Sequence, residues 1–412
     1  MLSISKKLLI YLILCVFSII RPVYSQNTFA FEGKKQREFL SFTKARGLIV
    51  VSTYINSKGP FNFILDTGVG LIIITDPKLK DSLNLNYLRK MEVAGLGEGR
   101  NIQAFVTSLL KIEIGSTFSE NANAAIFDQD IFDLSNYAGM PIHGLIGYDF
   151  FRSFMVRINY QTGYLNIYTK EKSALIKRGY KIPITLEQGK PYINVLVDVG
   201  AKKKVPLKML IDTGAGHPIS LESSNGSAFL LPDKFISANL GVGLEGNIQG
   251  FIGRIDNFKI GRFEFKKPIC SFPYYEDVGA KITSVKRNGS IGNQLLKRFE
   301  VIFDYQKNGM YLLPNALLHE PFEHDMSGIE LFATGDNFKR YFINRIESQS
   351  PADELGLQKD DEILSINFKS TSLMTFDEIL ELFKSKDGRN LILESKRGDT
   401  FTRSVITLKR RI

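Results

Sequence analysis

The stretch that decides the fold reads FILDTGVG at residues 63–70, and it returns as MLIDTGAG at residues 209–216. The two copies lie 146 residues apart. Two more pairs of segments keep this order and nearly this spacing: NIQAF at 101–105 with NIQGF at 247–251, and GLIG at 144–147 with GSIG at 289–292. Because chance would not preserve order and spacing together, we interpret most of the chain as two copies of one lobe.

Both copies have the composition of strands. Short segments rich in Val, Ile, Phe and Tyr alternate with Gly, Asn and Lys turns, at residues 49–54, 155–160, 192–199 and 301–305. This pattern predicts a mainly β protein, because β-branched and aromatic residues fit a pleated surface. A polar stretch at about 170–178 separates the copies. We predict a first lobe at 38–172 and a second at 180–315.

The N-terminus predicts export. Lys6 and Lys7 precede an apolar run at residues 8–20, which is shorter than the roughly 20 residues that span a bilayer. We therefore expect a cleaved signal peptide at residues 1–25 and no stable membrane anchor after cleavage. The destination would be a bacterial periplasm or the extracellular space. A retained anchor is the alternative.

Composition limits the remaining possibilities. The 412 residues are 44% hydrophobic, enough for two or three domains with cores. The formal net charge of +10 is spread along the chain, so we do not expect nucleic-acid binding. Once Cys15 is lost with the signal, Cys270 is the one cysteine left and cannot form an internal disulfide. Its spacing from the four histidines matches no metal site, so we predict no metal.

The pattern changes after Pro314. Residues 350–356 combine a capping serine, a proline, first-turn acids and a final glycine, which predicts a short helix. Thr375 and Glu378 form a capping box before apolar residues at helical spacing. Strands are predicted around both helices at 341–346, 362–367, 390–396 and 402–408. We therefore expect a small α/β module at residues 322–412.

The repeated Asp-Thr-Gly places a carboxylate at a tight turn after an apolar strand. Glycine lets the backbone pass close to a neighbour, and the threonine hydroxyl can bond to the opposite backbone. A single such tripeptide would most simply be a surface turn. Its presence at equivalent points of two repeats favours a paired site at Asp66 and Asp212.

These turns, each followed by an apolar-apolar-Gly segment, resemble the pepsin and retropepsin class of aspartic peptidases. The second such segment departs from the pattern, since Ser290 takes its first position. The resemblance covers about residues 40–315 and implies two homologous β lobes that bring Asp66 and Asp212 together as catalytic residues. The supporting turn residues would be Thr67, Gly68, Thr213 and Gly214.

The resemblance also implies a mechanism without a cofactor. In aspartic peptidases, two carboxylates that lie close together share one proton, because both cannot ionise cheaply at such a short distance. One carboxylate can then activate a water while the other donates to the scissile carbonyl of a polypeptide substrate.

The family covers its cleft with a glycine-bearing hairpin, for which the candidates are Gly95, Gly97, Gly99 and, in the repeat, Gly243. The repeat spells GxGxxG at 241–246, but we reject a dinucleotide site because the segment runs into strand-like residues and not a helix. His217 is interpreted as a polar loop residue. The aromatic residues at 148, 150, 151 and 154 are interpreted as core.

The C-terminal module resembles a PDZ domain through SPA at 350–352, LGL at 355–357 and DDEILSIN at 360–367. PDZ domains add an extended peptide to a sheet edge. The resemblance implies a binding loop with Ser327, Gly328 and Ile329, opposite the helix that starts at Thr375. The loop lacks the usual glycine-rich form, so it could hold chain ends, internal segments or nothing, and a structural role is the alternative.

The sequence thus favours an exported aspartic endopeptidase whose PDZ-like module aids substrate recruitment. The alternative is a catalytically silent exported scaffold that binds peptides. Two intact Asp-Thr-Gly turns favour the enzyme.

Overall fold

A computed structural model describes residues 28–83, 85, 89–93, 102–169, 179–200, 202–243, 246–282 and 285–412. The predicted signal peptide at 1–25 and most of the stretch between the lobes lie outside these ranges. None of the helices in the described part of the chain is long and apolar enough to cross a membrane.

The first lobe is built mainly from strands, with three short helices among its described residues. Its strands are β1 (Ala30–Phe31), β2 (Arg37–Ser41), β3 (Thr43–Ala45), β4 (Leu48–Ile55), β5 (Lys58–Leu65), β6 (Ile72–Ile74), β7 (Arg89–Val93), β8 (Ile102–Ile114), β9 (Thr117–Phe127), β10 (Gly144–Ile146), β11 (Met155–Asn159) and β12 (Tyr164–Tyr168). Its helices are α1 (Lys78–Ser82), α2 (Leu134–Ala138) and α3 (Tyr148–Ser153).

The second lobe repeats this organisation. Its strands are β13 (Tyr180–Pro183), β14 (Thr185–Glu187), β15 (Lys190–Val199), β16 (Lys202–Ile211), β17 (Ile219–Leu221), β18 (Phe235–Gly243), β19 (Gly246–Arg254), β20 (Asn257–Ile260), β21 (Phe263–Lys266), β22 (Ile269–Pro273), β23 (Gly289–Ile291), β24 (Phe299–Asp304) and β25 (Gly309–Pro314). Helix α4 spans Asn293–Leu296, and short 3-10 turns lie at Gly279–Lys281 and Tyr305–Lys307.

The strand pairings confirm that the lobes are copies of one fold. In lobe 1, β10 pairs parallel with β5 and antiparallel with β6. In lobe 2, β23 pairs parallel with β16 and antiparallel with β17. Each Asp-Thr-Gly turn therefore follows a buried strand, β5 or β16. The strand of the Gly-x-Ile-Gly segment, β10 or β23, lies beside it. The mainly β prediction is confirmed.

A six-stranded sheet joins the two lobes. Its order is β13-β25-β24-β11-β12-β2, so each lobe contributes three strands. The lobes meet where β11 pairs antiparallel with β24, with Ile158 opposite Val301. Buried Phe150, Phe151 and Phe154 pack in the core beside this sheet, as predicted, while Tyr148 is half-buried.

The C-terminal module has its own sheet and its own hydrophobic core. Its strands are β26 (Ile329–Thr334), β27 (Arg340–Ile346), β28 (Glu362–Ile366), β29 (Lys369–Ser370), β30 (Asn390–Arg397) and β31 (Thr400–Thr407). Its helices are α5 (Pro351–Glu354) and α6 (Phe376–Phe383), with a 3-10 turn at Thr371–Leu373. Both predicted caps form, because Ser350 accepts from Asp353 N and Thr375 makes a complete capping box with Glu378.

Candidate active site

Asp66 and Asp212 follow the ends of β5 and β16. The Asp66 amide donates to Ile146 O at 2.8 Å, and the Asp212 amide donates to Ile291 O at 2.9 Å. These hydrogen bonds extend the parallel pairing of β5 with β10 and of β16 with β23 by one residue and so fix each aspartate. The Gly-x-Ile-Gly segments therefore hold the aspartates at equivalent positions of the two lobes.

Glycines after β10 and β23 let these chains approach closely. A Cβ placed on Gly147 would overlap Asp66 O and lie 2.6 Å from Val69 O. A Cβ placed on Gly292 would overlap His217 O and lie 2.6 Å from Ala215 O. Both glycines are thus required by the packing behind the aspartate turns.

The two threonines bind across the lobe junction in a reciprocal arrangement. Thr67 Oγ1 donates to Ile211 O at 2.7 Å and accepts from Thr213 N at 3.0 Å. Thr213 Oγ1 donates to Leu65 O at 2.8 Å and accepts from Thr67 N at 3.0 Å. Both threonines are fully buried. These four hydrogen bonds tie each turn to the backbone of the opposite lobe.

The structure brings the two carboxyl groups close together. Within each turn, Gly68 N donates to Asp66 Oδ1 at 2.6 Å and Gly214 N donates to Asp212 Oδ1 at 2.9 Å. A Cβ on Gly68 would lie 3.1 Å from Asp212 Oδ1, and one on Gly214 would overlap the Asp66 carboxyl. Side chains at either glycine would therefore crowd the pair.

Burial raises the pKa of Asp66 well above its ordinary value of 3.8, and the charge of Asp212 and a hydrogen bond between the two carboxyls add to the rise. The Gly68 amide and the charge of Lys190 act in the opposite direction. A carboxyl with a raised pKa holds its proton at a pH where ordinary aspartates have lost it. The pair is therefore suited to share one proton.

Comparison with known families agrees with this geometry. A family model described as aspartyl protease matches residues 51–150, which hold Asp66 and its supporting strands. The chain carries an aspartyl protease domain. A second model, described as PDZ domain, matches residues 342–397 in the C-terminal module. A comparison with curated proteins finds no match.

Each lobe forms a β-hairpin at the predicted position, as far as the structure describes it. In lobe 1, β7 pairs with β8 up to Val93 opposite Ile102, and Gly95, Gly97 and Gly99 lie outside the described residues. In lobe 2, β18 and β19 form the matching hairpin, with Gly243 opposite Gly246 at its tip. This strand pairing places the GxGxxG sequence in a β-hairpin.

A buried polar network behind Asp212 was not predicted. His217 Nε2 lies 3.1 Å from Ser290 Oγ, which donates to Glu222 Oε1 at 2.9 Å. Arg287 Nε donates to Glu222 Oε2 at 2.8 Å, and both side chains are at least nine-tenths buried. The His217 ring therefore turns inward, and burial lowers its pKa. The signal in the sequence was Ser290, the one polar residue in the apolar-apolar-Gly segments.

Lys190 was also missed by sequence reasoning. It starts β15, is half-buried, and its charge interacts with both Asp66 and Asp212. Burial lowers the pKa of the Lys190 amine, with a smaller contribution from the Arg287 charge.

Among the residues that the structure describes, no group of three His, Cys, Asp or Glu side chains could hold a metal ion.

The predicted binding loop of the PDZ domain is filled by a carboxylate of the chain itself. Asp325 Oδ1 accepts from Ser327 N at 2.9 Å and from Gly328 N at 2.6 Å. The Ile329 amide donates to Ser327 Oγ at 3.0 Å. The Thr375 hydroxyl accepts from Glu378 N and thereby caps α6. The amides that could hold the carboxylate of a bound peptide are thus already paired.

Proposed function

We propose that the chain is an aspartic endopeptidase and that Asp66 and Asp212 are its catalytic residues. The observation that carries the proposal is the close approach of two carboxyls at equivalent turns of two repeated lobes, braced by reciprocal threonine bonds. A surface turn or a purely structural pair would not need this symmetric bracing. A polypeptide substrate would lie across the pair, beneath the β7–β8 and β18–β19 hairpins.

The chemistry follows from the shared proton. The ionised carboxyl takes a proton from a water held by the pair, and the resulting oxygen nucleophile attacks the scissile carbonyl carbon. The protonated carboxyl donates to the carbonyl oxygen as the tetrahedral intermediate forms. The carboxyl that took the water's proton passes it to the leaving amine as the C–N bond breaks, and the other carboxyl regains its proton from a hydroxyl of the intermediate as the product carboxyl forms. The raised pKa of Asp66 keeps one proton on the pair at a pH where an ordinary aspartate has lost it.

Export and recruitment complete the proposal. The predicted signal at residues 1–25 would send the enzyme to a bacterial periplasm or beyond. Recruitment by the PDZ domain would use an internal polypeptide segment, since Asp325 occupies the amides that would grip a chain end. The edge of β26 would accept that segment once its contacts with α2 of lobe 1 and with Asn239 of lobe 2 have opened.

The test is cleavage of an unstructured protein mixture from about pH 3 to about pH 8. Wild type is compared with Asp212→Asn and with wild type plus a statine-type transition-state mimic. We expect cleavage by wild type without the mimic, read as new N-termini by mass spectrometry, and no cleavage by Asp212→Asn or by wild type with the mimic. Folded wild type that cleaves nothing at any pH would favour the alternative, a silent peptide-binding scaffold.

A further inference from the structure

Two hairpin turns outside the repeated motif reach across the lobe junction. The β3–β4 turn consists of Arg46 and Gly47, and the β14–β15 turn consists of Gln188 and Gly189. All four residues have positive φ, between 50° and 78°, as a two-residue turn of this type requires. The turns are thus matching parts of the two lobes.

Each turn contacts the aspartate loop of the opposite lobe. A Cβ on Gly216, at the end of the Asp212 loop, would lie 3.3 Å from Arg46 O. A Cβ on Gly70, at the end of the Asp66 loop, would lie 3.3 Å from Gln188 O. A shift of either turn would therefore change the packing of the loop that carries the other lobe's aspartate.

The PDZ domain breaks this symmetry, because it holds the Arg46 turn. Arg46 N donates to Asp377 Oδ1 of α6 at 2.9 Å. The Arg46 guanidinium lies 5.0 Å from the Phe376 ring centre and 4.0 Å from that of Tyr137. It also donates to Leu331 O of β26 at 3.4 Å. Arg46 thus spans the space between β26 and α6, which we call the PDZ groove.

Further contacts from both protease lobes close this groove. Helix α2 packs against β26, and a Cβ on Gly139, just after α2, would lie 2.8 Å from the Phe376 ring. Asn239 of β18 donates to Glu330 Oε1 of β26 at 3.0 Å. Among the described strands, β26 pairs only with β27, so its other edge faces these elements. The groove that would bind a peptide is occupied by this chain.

We propose that Arg46 is a positioning residue for the Asp212 loop and that the PDZ groove holds it in place. The Arg46 turn and helix α2 then occupy the groove in the place of a bound peptide. Docking of the PDZ domain fixes Arg46, and the Arg46 carbonyl in turn supports the loop at Gly216. A polypeptide that enters the groove has to displace these contacts, so groove occupancy and cleavage are coupled. The effect on cleavage rests on the proposed function, whereas the effect on the loop does not.

The test is hydrogen–deuterium exchange of the full chain, read at residues 213–217. Asp377→Ala removes the acceptor of the Arg46 amide, and Arg46→Ala removes the guanidinium contacts from the lobe side. Each is expected to raise exchange at 213–217 about tenfold, the factor that one lost hydrogen bond to a charged group would produce. Gln188→Ala, in the matching turn without a PDZ contact, and Arg403→Ala, on the exposed side of the PDZ domain, are expected to leave 213–217 at the wild-type rate.

Unchanged exchange at 213–217 in both Asp377→Ala and Arg46→Ala, with β30 and β31 still protected, would overturn the proposal. Where wild type cleaves a short peptide, both variants should also lower kcat with KM near its wild-type value. If the module only recruited substrate, both variants would instead raise KM for proteins and leave cleavage of short peptides unaffected. Because exchange needs no cleavage, absence of peptidase activity would count against the proposed function alone.

Discussion

Replacing Thr67 by valine tests the reciprocal bracing of the aspartate turns. Valine keeps the shape of threonine but removes Oγ1, which donates to Ile211 O and accepts from Thr213 N. Since Thr67 is fully buried, one N–H and one C=O lose their partners without access to water. Each such orphaned group costs about 1–3 kcal/mol, so we expect the free energy of unfolding to fall by about 2–6 kcal/mol.

The matched control is Thr67→Ser, which keeps the hydroxyl and loses one methyl group, at a cost of about 1 kcal/mol. Thr213→Val should cost as much as Thr67→Val, because the contacts are reciprocal. Urea unfolding followed by circular dichroism measures all three, since the chain has no tryptophan to report by fluorescence. Thr67→Val as stable as Thr67→Ser would refute the bracing role.

Three further predictions concern single residues. Asp66→Asn should gain stability over wild type as pH rises above about 4, because the wild-type carboxyl has a raised folded pKa: its contribution to the free energy of unfolding is complete below its ordinary value of 3.8 and is lost as pH rises through the folded pKa. A difference in Tm between the two proteins that stays constant up to about pH 8 would contradict this. Gly147→Ala should lower the free energy of unfolding by about 1–3 kcal/mol because its Cβ overlaps Asp66 O, whereas Gly70→Ala should lower it by less because its Cβ meets only Gln188 O at 3.3 Å. Equal losses of the two variants in urea unfolding would speak against the close packing at Gly147. Asp325→Ala should destabilise the PDZ domain by about 1.5–3 kcal/mol, as measured by calorimetry, and Asp325→Asn should destabilise it by less because asparagine keeps an acceptor. An unchanged thermal transition in Asp325→Ala would show that the Ser327 and Gly328 amides do not need this carboxylate.

The two-lobe fold could be predicted because duplication leaves a pattern within one sequence. The repeated aspartate turns and Gly-x-Ile-Gly segments, which keep one order and nearly one spacing, indicated two copies of one lobe. Local signals were equally sufficient in the PDZ domain, where Ser350 and Thr375 mark the starts of α5 and α6. These features depend on neighbouring residues or on a comparison of the chain with itself.

The contacts that connect the parts could not be predicted. Arg46 and Asp377 are 331 positions apart, and their hydrogen bond leaves no local pattern in either segment. The Arg46 and Gln188 turns are each a common two-residue hairpin, so nothing in them indicates contact with Gly216 or Gly70. Ser290 departed visibly from the repeat, but its partners Glu222 and His217 follow only from the folded arrangement.

The central claim is that Asp66 and Asp212 act as one catalytic unit, and it is tested most directly by steady-state cleavage of one short peptide. Asp66→Asn, Asp212→Asn and the double variant are compared, each shown to be folded by its thermal transition. We expect each single change to abolish cleavage and the double change to add nothing, because residues that act as a unit are not additive. Measurable cleavage by either single variant, or a further loss in the double variant, would contradict the shared pair.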